Sequence, residues 1–180
     1  MDKQNLRRTI RLRQAELPDA YVRDASERIQ QRILAMPAYR EARSIFLYLH
    51  MRGEPATDGV LRRAFADGKA VYVPKCVSRT EMLAVRIRGT EGLVPGAFGI
   101  PEPAEIEETV SAAETDLILV PCLAAAKDGR RLGHGAGYYD RFLAAPGAAD
   151  RAVCLCFSRL LCEEIPTEGT DVRIPLVITD

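Results

Sequence analysis

The feature that most constrains the fold is a set of short, almost wholly apolar runs. Residues 117–120 (LILV) form the most strand-like run, and Pro121 is expected to end it. Residues 44–49 (SIFLYL) predict a second strand. Because these runs are apolar at successive positions, both faces of each strand must be covered, which is typical of the strands of a parallel sheet between helices.

Helical stripes alternate with further short runs along the rest of the chain. Residues 3–17 and 19–36 are expected to be helical, with Asp19 as an N-cap and Pro37 as a stop, and a third helix over 60–65 would be closed by Gly68. Further strands are expected at 70–73, where Pro74 would end the strand, and at 82–87, 152–157 and 176–179. Residues 89–115 are rich in Gly, Pro and Glu and are expected to be mostly loop. The pattern predicts one α/β domain over 1–180, with three α/β/α layers, a mostly parallel sheet, and ligands at the carboxyl ends of the strands.

The charge balance and the cysteines narrow the classes of function. With 25 basic and 25 acidic side chains the formal net charge is zero, which argues against broad binding of nucleic acid or of an anionic membrane surface. No apolar run approaches the roughly 20 residues that span a bilayer. The five cysteines lack a C-x-x-C motif, and two histidines are too few to favour a zinc site with Cys154 and Cys156. We therefore expect a cytoplasmic monomer with reduced thiols.

A glycine-rich segment, 129–141 (GRRLGHGAGYYDR), carries the strongest chemical signal. Gly133, Gly135 and Gly137 alternate, so the backbone can adopt positive φ angles and approach a ligand closely. Successive N–H groups followed by a helix N-terminus favour an anion, and Arg130 and Arg131 add donors suited to phosphate. A tight turn is the alternative interpretation. The segment lacks the Gly-Lys-Ser/Thr of a Walker loop and fails the dinucleotide pattern, because Tyr138 occupies its third glycine position.

The first predicted helix is unusually basic. Lys3, Arg7, Arg8, Arg11 and Arg13 crowd a segment with few apolar positions. This pattern is typical of a solvated helix face, and it also fits the basic edge of an anion site.

These residues resemble a known family. The segment 129–143 (GRRLGHGAGYYDRFL), preceded by LILVP, is similar to the signature of the 5-formyltetrahydrofolate cyclo-ligase (5,10-methenyltetrahydrofolate synthetase) family. Other landmarks follow in the family's order: Lys3-x-x-Leu6-Arg7, Glu54 and Thr57, residues 73–75 (VPK), Met82, residues 99–103 (GIPEP), and Asp171 before Ile178-Thr179. The resemblance covers nearly the whole chain and implies a Rossmann-like fold of the sugar-phosphate isomerase/CoA-transferase type.

The resemblance implies a ligase that uses ATP and Mg²⁺ to convert 5-formyltetrahydrofolate into 5,10-methenyltetrahydrofolate, with release of ADP and phosphate. A formamide oxygen is a poor leaving group, and its phosphorylation makes the formyl carbon electrophilic enough for N10 of the folate to attack. Phosphoryl transfer of this kind needs positioning and charge neutralisation rather than a protein nucleophile.

The resemblance also assigns roles to individual residues. ATP would contact Lys3, Arg7, Arg131, Leu132, Gly133, His134, Gly135, Ala136, Gly137, Tyr138 and Tyr139, with Arg131 and Tyr138 as the catalytic pair. The folate would contact Leu49, Glu54, His134, Gly135, Ala136, Gly137 and Tyr138. Asp140 and Asp171 would hold Mg²⁺.

Some of these assignments have simpler alternatives. Asp140 could be an ordinary first-turn acid of a helix, Asp171 a turn acid, and Tyr138 a residue packed against the sheet. By the same assignment Arg8, Arg11 and Arg13 would lie on the surface, Lys3, Arg7, Arg130 and Arg131 would share one pocket, and the acids of 102–114 would lie elsewhere.

Two other functions stay open. An ATP-dependent enzyme with a different acceptor is one, because Ala56, Cys122, Ala125, Ala126 and Thr170 depart from the family where substrate is expected. A nucleotide- or folate-binding module without catalysis is the other, although the presence of Lys3, Arg7, Arg131, Asp140 and Asp171 weighs against it.

Overall fold

A seven-stranded sheet forms the centre of the structure, a computed structural model that describes residues 2–96 and 99–180. Its strands in the described part of the chain are β1 (Ser44–Phe46), β2 (Ala70–Cys76), β3 (Met82–Ile87), β6 (Thr109–Val110), β7 (Leu117–Pro121), β10 (Ala152–Leu155) and β11 (Leu176–Ile178). Two small hairpins lie outside it, β4 (Leu93–Pro95) with β5 (Pro101–Pro103), and β8 (Ala124–Ala125) with β9 (Arg131–Leu132). The helices are α1 (Lys3–Ala15), α2 (Asp19–Ala35), α3 (Pro37–Glu41), α4 (Asp58–Ala66) and α5 (Tyr138–Phe142).

The order of the strands fixes where a ligand can bind. Across the sheet the order is β11-β10-β7-β1-β2-β3-β6, and every neighbouring pair from β11 to β2 is parallel. The chain runs from β1 to β2 on one side and later from β7 through β10 to β11 on the other, so the strand order reverses between β1 and β7. In open α/β sheets ligands bind outside the carboxyl ends of the strands at this point. The predicted α/β fold with a mostly parallel sheet is confirmed.

The apolar runs cover the sheet as expected. All five residues of β7 are buried, and so are all four of β10. Phe46 of β1 contacts Phe142 of α5, with ring centroids 4.9 Å apart. From the helices, Ile10, Ile29 and Ile33 are fully buried in the same core. In the described residues no helix is both long and apolar enough to cross a membrane. That residues 1–180 form one domain stays a prediction.

Several predicted boundaries were wrong, and the sheet around Pro74 explains one of them. β2 continues through Pro74 to Cys76, because the ladder with β1 ends at the Leu47 N–H to Tyr72 carbonyl bond and pairing then continues with β3 alone. A proline is tolerated where a strand has an open side. Pro121, which was expected to end its strand, is the last residue of β7.

Three further expectations need correction. Asp19 is the first residue of α2 and Pro18 occupies the N-cap, while Pro37 begins α3 instead of only ending α2. The segment 89–115, expected to be mostly loop, contains β4, β5, β6 and a 3₁₀ turn, Ala112–Glu114. Within that segment residues 97 and 98 lie outside the described chain.

Candidate active site

A cavity of about 920 Å³ opens at the carboxyl ends of β1, β2 and β7. Every residue predicted to contact ATP, folate or Mg²⁺ lines it: Lys3, Arg7, Leu49, Glu54, residues 131–140 and Asp171. These residues come from α1, the loop after β1, the glycine-rich segment and a loop near the C-terminus. Residues that are distant in sequence thus face one space.

The glycine-rich segment is built on a hairpin. β8 and β9 pair through hydrogen bonds such as Leu123 N–H to the Leu132 carbonyl (2.8 Å), and Gly129 lies in the turn with φ +88°. After β9 the backbone passes Gly135 (φ +115°) and Gly137 (φ +69°), which is the N-cap of α5. Residues with a Cβ atom rarely adopt these backbone conformations, so glycine is strongly favoured at both positions. Gly133, the third alternating glycine, does not have a positive φ.

Arg131 is the most unusual charged residue of the cavity. Its side chain is only 4 % exposed, and Nη2 donates a hydrogen bond to Asp140 Oδ1 at 2.8 Å. Among the described residues its buried Nε has no hydrogen-bond partner. A buried donor without a partner is costly, since native structures satisfy most buried polar atoms. An anion in the cavity would supply the missing acceptor.

Arg130 points elsewhere, contrary to the prediction that it shares the pocket. It pairs with Asp128 at 2.7 Å and donates to the Ile165 carbonyl at 3.2 Å. Arg131 lies in β9 and Arg130 immediately precedes it, and successive side chains of a strand point to opposite sides. One arginine therefore faces the cavity and its neighbour faces away from it.

The basic face of helix α1 lines the cavity. Lys3 Nζ donates to both oxygens of Asp171, at 2.7 and 2.6 Å, and Arg7 Nε donates to the Gly133 carbonyl at 2.9 Å. Arg11, predicted to be on the surface, is exposed but also lines the cavity. The stripe Lys3, Arg7, Arg11 has the four-residue spacing that places side chains on one helix face.

The two carboxylates predicted to hold metal meet at the Lys3 end. Asp140 Oδ1 accepts hydrogen bonds from Arg131 and from Val172 N–H, at 3.1 Å for the latter, which places Asp140 next to Asp171. Burial of Asp171 opposes its ionisation, but hydrogen bonds from Lys3 and from Glu168 N–H outweigh this and lower the pKa of Asp171. Asp140 Oδ2 accepts no hydrogen bond from the described part of the chain.

Glu54 is buried at another part of the cavity, with a side chain that is 3 % exposed. The loop after β1 that carries it is anchored by two bonds: Tyr48 donates from its hydroxyl to the Pro55 carbonyl, and Thr57 donates to the Tyr48 carbonyl, both at 2.7 Å. Glu54 Oε2 accepts the Met51 N–H at 2.8 Å, and Oε1 lies 2.8 Å from His134 Nε2. The carboxylate is therefore fixed in place by its own chain.

The two tyrosines after the glycines have different roles. Tyr139 contacts Phe46, and burial raises the pKa of Tyr139, which keeps the phenol neutral. Tyr138 lines the cavity with its ring, while its hydroxyl donates to the Ser78 carbonyl at 2.8 Å. Arg141 reinforces this contact by donating to the Thr80 and Ala136 carbonyls. Tyr138 thus ties the hairpin between β2 and β3 to the glycine-rich segment.

Sequence reasoning assigned no role to several residues of the cavity, among them Glu102 and Cys76. Glu102 is buried in the wall, although the acids of 102–114 were predicted to lie elsewhere. Its carboxylate approaches the Cys76 N–H at 3.3 Å, and burial together with Glu102 raises the pKa of the Cys76 thiol. The only signal for Glu102 is its place within the GIPEP landmark, at 99–103.

The cysteines are free thiols, as predicted. Cys122, Cys154 and Cys156 are buried near the carboxyl ends of β7 and β10. Hydrogen bonds to Cys154 and Cys156 raise the pKa of Cys122, which keeps that thiol protonated and unreactive. Within 2–96 and 99–180 no group of three or more His, Cys, Asp or Glu side chains is placed to hold a metal.

Comparison with known proteins identifies the family. A family model described as the 5-formyltetrahydrofolate cyclo-ligase family matches residues 1–180. The chain belongs to this family. It is 30 % identical to the 5-formyltetrahydrofolate cyclo-ligase of Mus musculus, over 83 % of this chain and 79 % of the mouse protein. It is also 30 % identical to the cyclo-ligase of Haemophilus influenzae, over 96 % of this chain and 94 % of that protein.

A solved structure agrees with the cyclo-ligase assignment. The NMR structure of Aquifex aeolicus 5,10-methenyltetrahydrofolate synthetase superposes with a TM-score of 0.83 at 28 % identity, and the match covers 98 % of this chain and 89 % of that one. The family match confirms the resemblance, and with it the ligase class and the cyclo-ligase activity predicted from the sequence. The roles of ATP, Mg²⁺ and the individual residues are a separate matter.

Proposed function

We propose that the cavity binds ATP at its Lys3–Arg131 end and 5-formyltetrahydrofolate at its Glu54 end, and that it couples ATP cleavage to ring closure. Arg131 carries the proposal: its guanidinium is nearly buried, its Nε has no hydrogen-bond partner in the part of the chain that the structure describes, and it lines the same cavity as the buried carboxylate of Glu54. Helix α1 spans both ends, since Lys3 contacts Asp171 and Gln14 contacts the Gly53 carbonyl. At about 1.5 Å per residue these ends are roughly 16 Å apart, which leaves room for two ligands.

The phosphate groups of ATP would be held by charge and by backbone. Lys3 and Arg7 provide cations along α1, and the left-handed turns at Gly135 and Gly137 allow the backbone N–H groups of the segment to face a phosphate. Arg131 is positioned by Asp140 before any ligand binds, so its donors need little reorganisation. Such fixed donors stabilise charge that develops on the moving phosphoryl group.

Asp140 and Asp171 fit Mg²⁺ by the chemistry of their donors. Mg²⁺ is a hard cation that protein sites usually hold through one or two carboxylates, with phosphate and water as the remaining ligands. Oδ2 of Asp140 accepts no hydrogen bond from residues 2–96 or 99–180, and Asp171 lies beside Asp140. When bound there, Mg²⁺ would neutralise phosphate charge.

The folate would be recognised by Glu54. An ionised carboxylate only accepts hydrogen bonds, and an aminopyrimidine edge offers two neighbouring N–H donors. Leu49 lines the cavity close to Glu54 in the sequence and provides an apolar contact for the ring. The Glu54 loop is anchored by Tyr48 and Thr57, so the acceptor is oriented in advance.

The chemistry then requires two displacements. The formyl oxygen attacks the terminal phosphorus of ATP and ADP leaves, which converts the oxygen into a phosphate leaving group. N10 of the folate next attacks the formyl carbon, the carbon–oxygen bond breaks, and phosphate departs as N10 loses its proton. Neither step needs a covalent protein nucleophile, so positioning and charge neutralisation carry the catalysis.

An absorbance assay tests the proposal. Purified protein with ATP, Mg²⁺ and 5-formyltetrahydrofolate is expected to form one ADP for each 5,10-methenyltetrahydrofolate. No 5,10-methenyltetrahydrofolate is expected to form when ATP is left out. Folded protein that forms no product would contradict the proposal. ATP binding without turnover of any formyl acceptor would indicate a binding module instead. We also propose that the protein lies in the cytoplasm, since free thiols fit a reducing compartment. A monomer in solution is a further part of the proposal.

A further inference from the structure

The contact between His134 and Glu54 joins the glycine-rich segment, which is proposed to surround the phosphates, to the proposed folate acceptor. The resemblance implies that His134 contacts both ligands, whereas Glu54 contacts only the folate. His134 Nε2 lies 2.8 Å from Glu54 Oε1, and Met51 N–H occupies Oε2 at 2.8 Å. Each oxygen of Glu54 accepts one hydrogen bond from the chain, and the side chain is only 3 % exposed, so little of the carboxylate is open to a ligand.

The two partners differ in freedom. Glu54 is 3 % exposed and belongs to an anchored loop, which Gln14 also holds by donating to the Gly53 carbonyl at 2.7 Å. The His134 side chain is 35 % exposed and is followed by Gly135, whose φ is +115°. The imidazole can therefore leave the contact by rotation of its own side chain, whereas Glu54 cannot readily move.

Glu54 is almost fully buried and the partly exposed His134 covers its Oε1, so a folate that reaches Oε1 must displace the imidazole. The imidazole N–H is a donor suited to any anionic oxygen, and a phosphate near residues 133–137 offers it a second acceptor. A carboxylate and a phosphate would thus compete for one donor. A nucleotide that accepts a hydrogen bond from His134 exposes Glu54 to the folate. A folate that donates to Glu54 in turn leaves His134 able to donate to the nucleotide.

We propose that His134 is a positioning residue that controls access to Glu54 and thereby makes the binding of nucleotide and of folate mutually favourable. The inference rests on the proposed function, because it assumes that Glu54 accepts the folate. Thermodynamic linkage requires the effect to be reciprocal: the factor by which nucleotide tightens folate binding equals the factor by which folate tightens nucleotide binding.

Folate affinity measured with and without a nucleotide tests this inference. The dissociation constant of 5-formyltetrahydrofolate is determined by calorimetry on the full chain, alone and with a saturating non-hydrolysable ATP analogue. For the wild type we expect the analogue to tighten folate binding by roughly 5- to 150-fold, the usual range of coupling between sites. For His134→Ala we expect tighter folate binding without the analogue and a coupling factor near one. His134→Gln keeps a donor and is expected to retain part of the coupling.

The chain offers a matched control. His50, its other histidine, contacts Asp58 at 3.6 Å and does not line the cavity. His50→Ala is expected to keep the wild-type coupling. Weaker folate binding by His134→Ala in the absence of the analogue, or wild-type coupling in that variant, would overturn the inference. If the wild type itself bound no folate, the proposed function would fail first, so the two failures are distinguishable.

Discussion

Replacing Arg131 with glutamine separates the catalytic use of this side chain from its structural use. The variant loses the 2.8 Å bond to Asp140, a carboxylate that is 21 % exposed and keeps its bond from Val172 N–H. Because Asp140 retains a partner and some solvent, it is not left unsatisfied, and we expect a stability loss of about 1 kcal/mol, the net contribution of a typical hydrogen bond. Loss of a preorganised donor to developing charge lowers kcat by roughly 10²–10³-fold.

Arg130→Gln is the matched control, since it removes the same charge one residue earlier. Arg130 pairs with Asp128, which is 44 % exposed, and such exposed pairs contribute only about 0–1 kcal/mol. We expect nearly wild-type kcat for this variant. Initial rates at saturating ATP and folate, with urea unfolding of each variant, provide the measurement. Equal loss of kcat in both variants, or none in Arg131→Gln, would refute the assignment of Arg131.

Three further changes test other parts of the structure. A Cβ added by Gly129→Ala would clash with the Ile174 carbonyl oxygen, whereas one added by Gly68→Ala meets no atom of the described residues within 4 Å. Both have positive φ, so urea unfolding should show a loss of about 1–2 kcal/mol for Gly68→Ala and a larger one for Gly129→Ala; equal losses would contradict the close approach. Burial of Asp180 opposes its ionisation, but hydrogen bonds from Ser158 and Tyr21 lower its pKa, so its stabilisation is present above the ordinary carboxyl pKa and lost as pH falls through the lowered value. Asp180→Asn should therefore show a smaller stability difference between pH 7 and pH 3, and an unchanged difference would exclude this role. Asp140→Asn should strongly raise the Mg²⁺ concentration needed for half-maximal rate, while the urea midpoint of unfolding changes little. A wild-type Mg²⁺ titration in this variant would exclude the metal assignment.

The sequence predicts the buried strands well, because a strand that is buried on both faces requires an uninterrupted run of apolar residues. The apolar run at 117–120 became β7, and the run at 44–49 contains β1. What the sequence does not predict depends on neighbours. Pro74 would end a strand that has partners on both sides, and here β1 has already ended beside it. The effect of a proline depends on strand order, which no local pattern contains.

The candidate site shows the same division. The residues that the resemblance assigns to ligands line one cavity, but the resemblance did not predict the direction of each side chain. Arg130 and Arg131 were predicted to share one pocket, but the alternation of side chains along the short strand β9 separates them. The contact of His134 with Glu54 joins residues 80 positions apart. Only the tertiary fold brings them together.

Transfer of the formyl oxygen tests the central claim most directly. 5-Formyltetrahydrofolate carrying ¹⁸O in the formyl group is converted with unlabelled ATP, and the released phosphate is analysed by mass spectrometry. Attack of that oxygen on ATP, followed by loss of phosphate as N10 closes the ring, predicts one ¹⁸O atom in each phosphate. Unlabelled phosphate formed together with 5,10-methenyltetrahydrofolate would contradict phosphorylation of the formyl oxygen in this cavity.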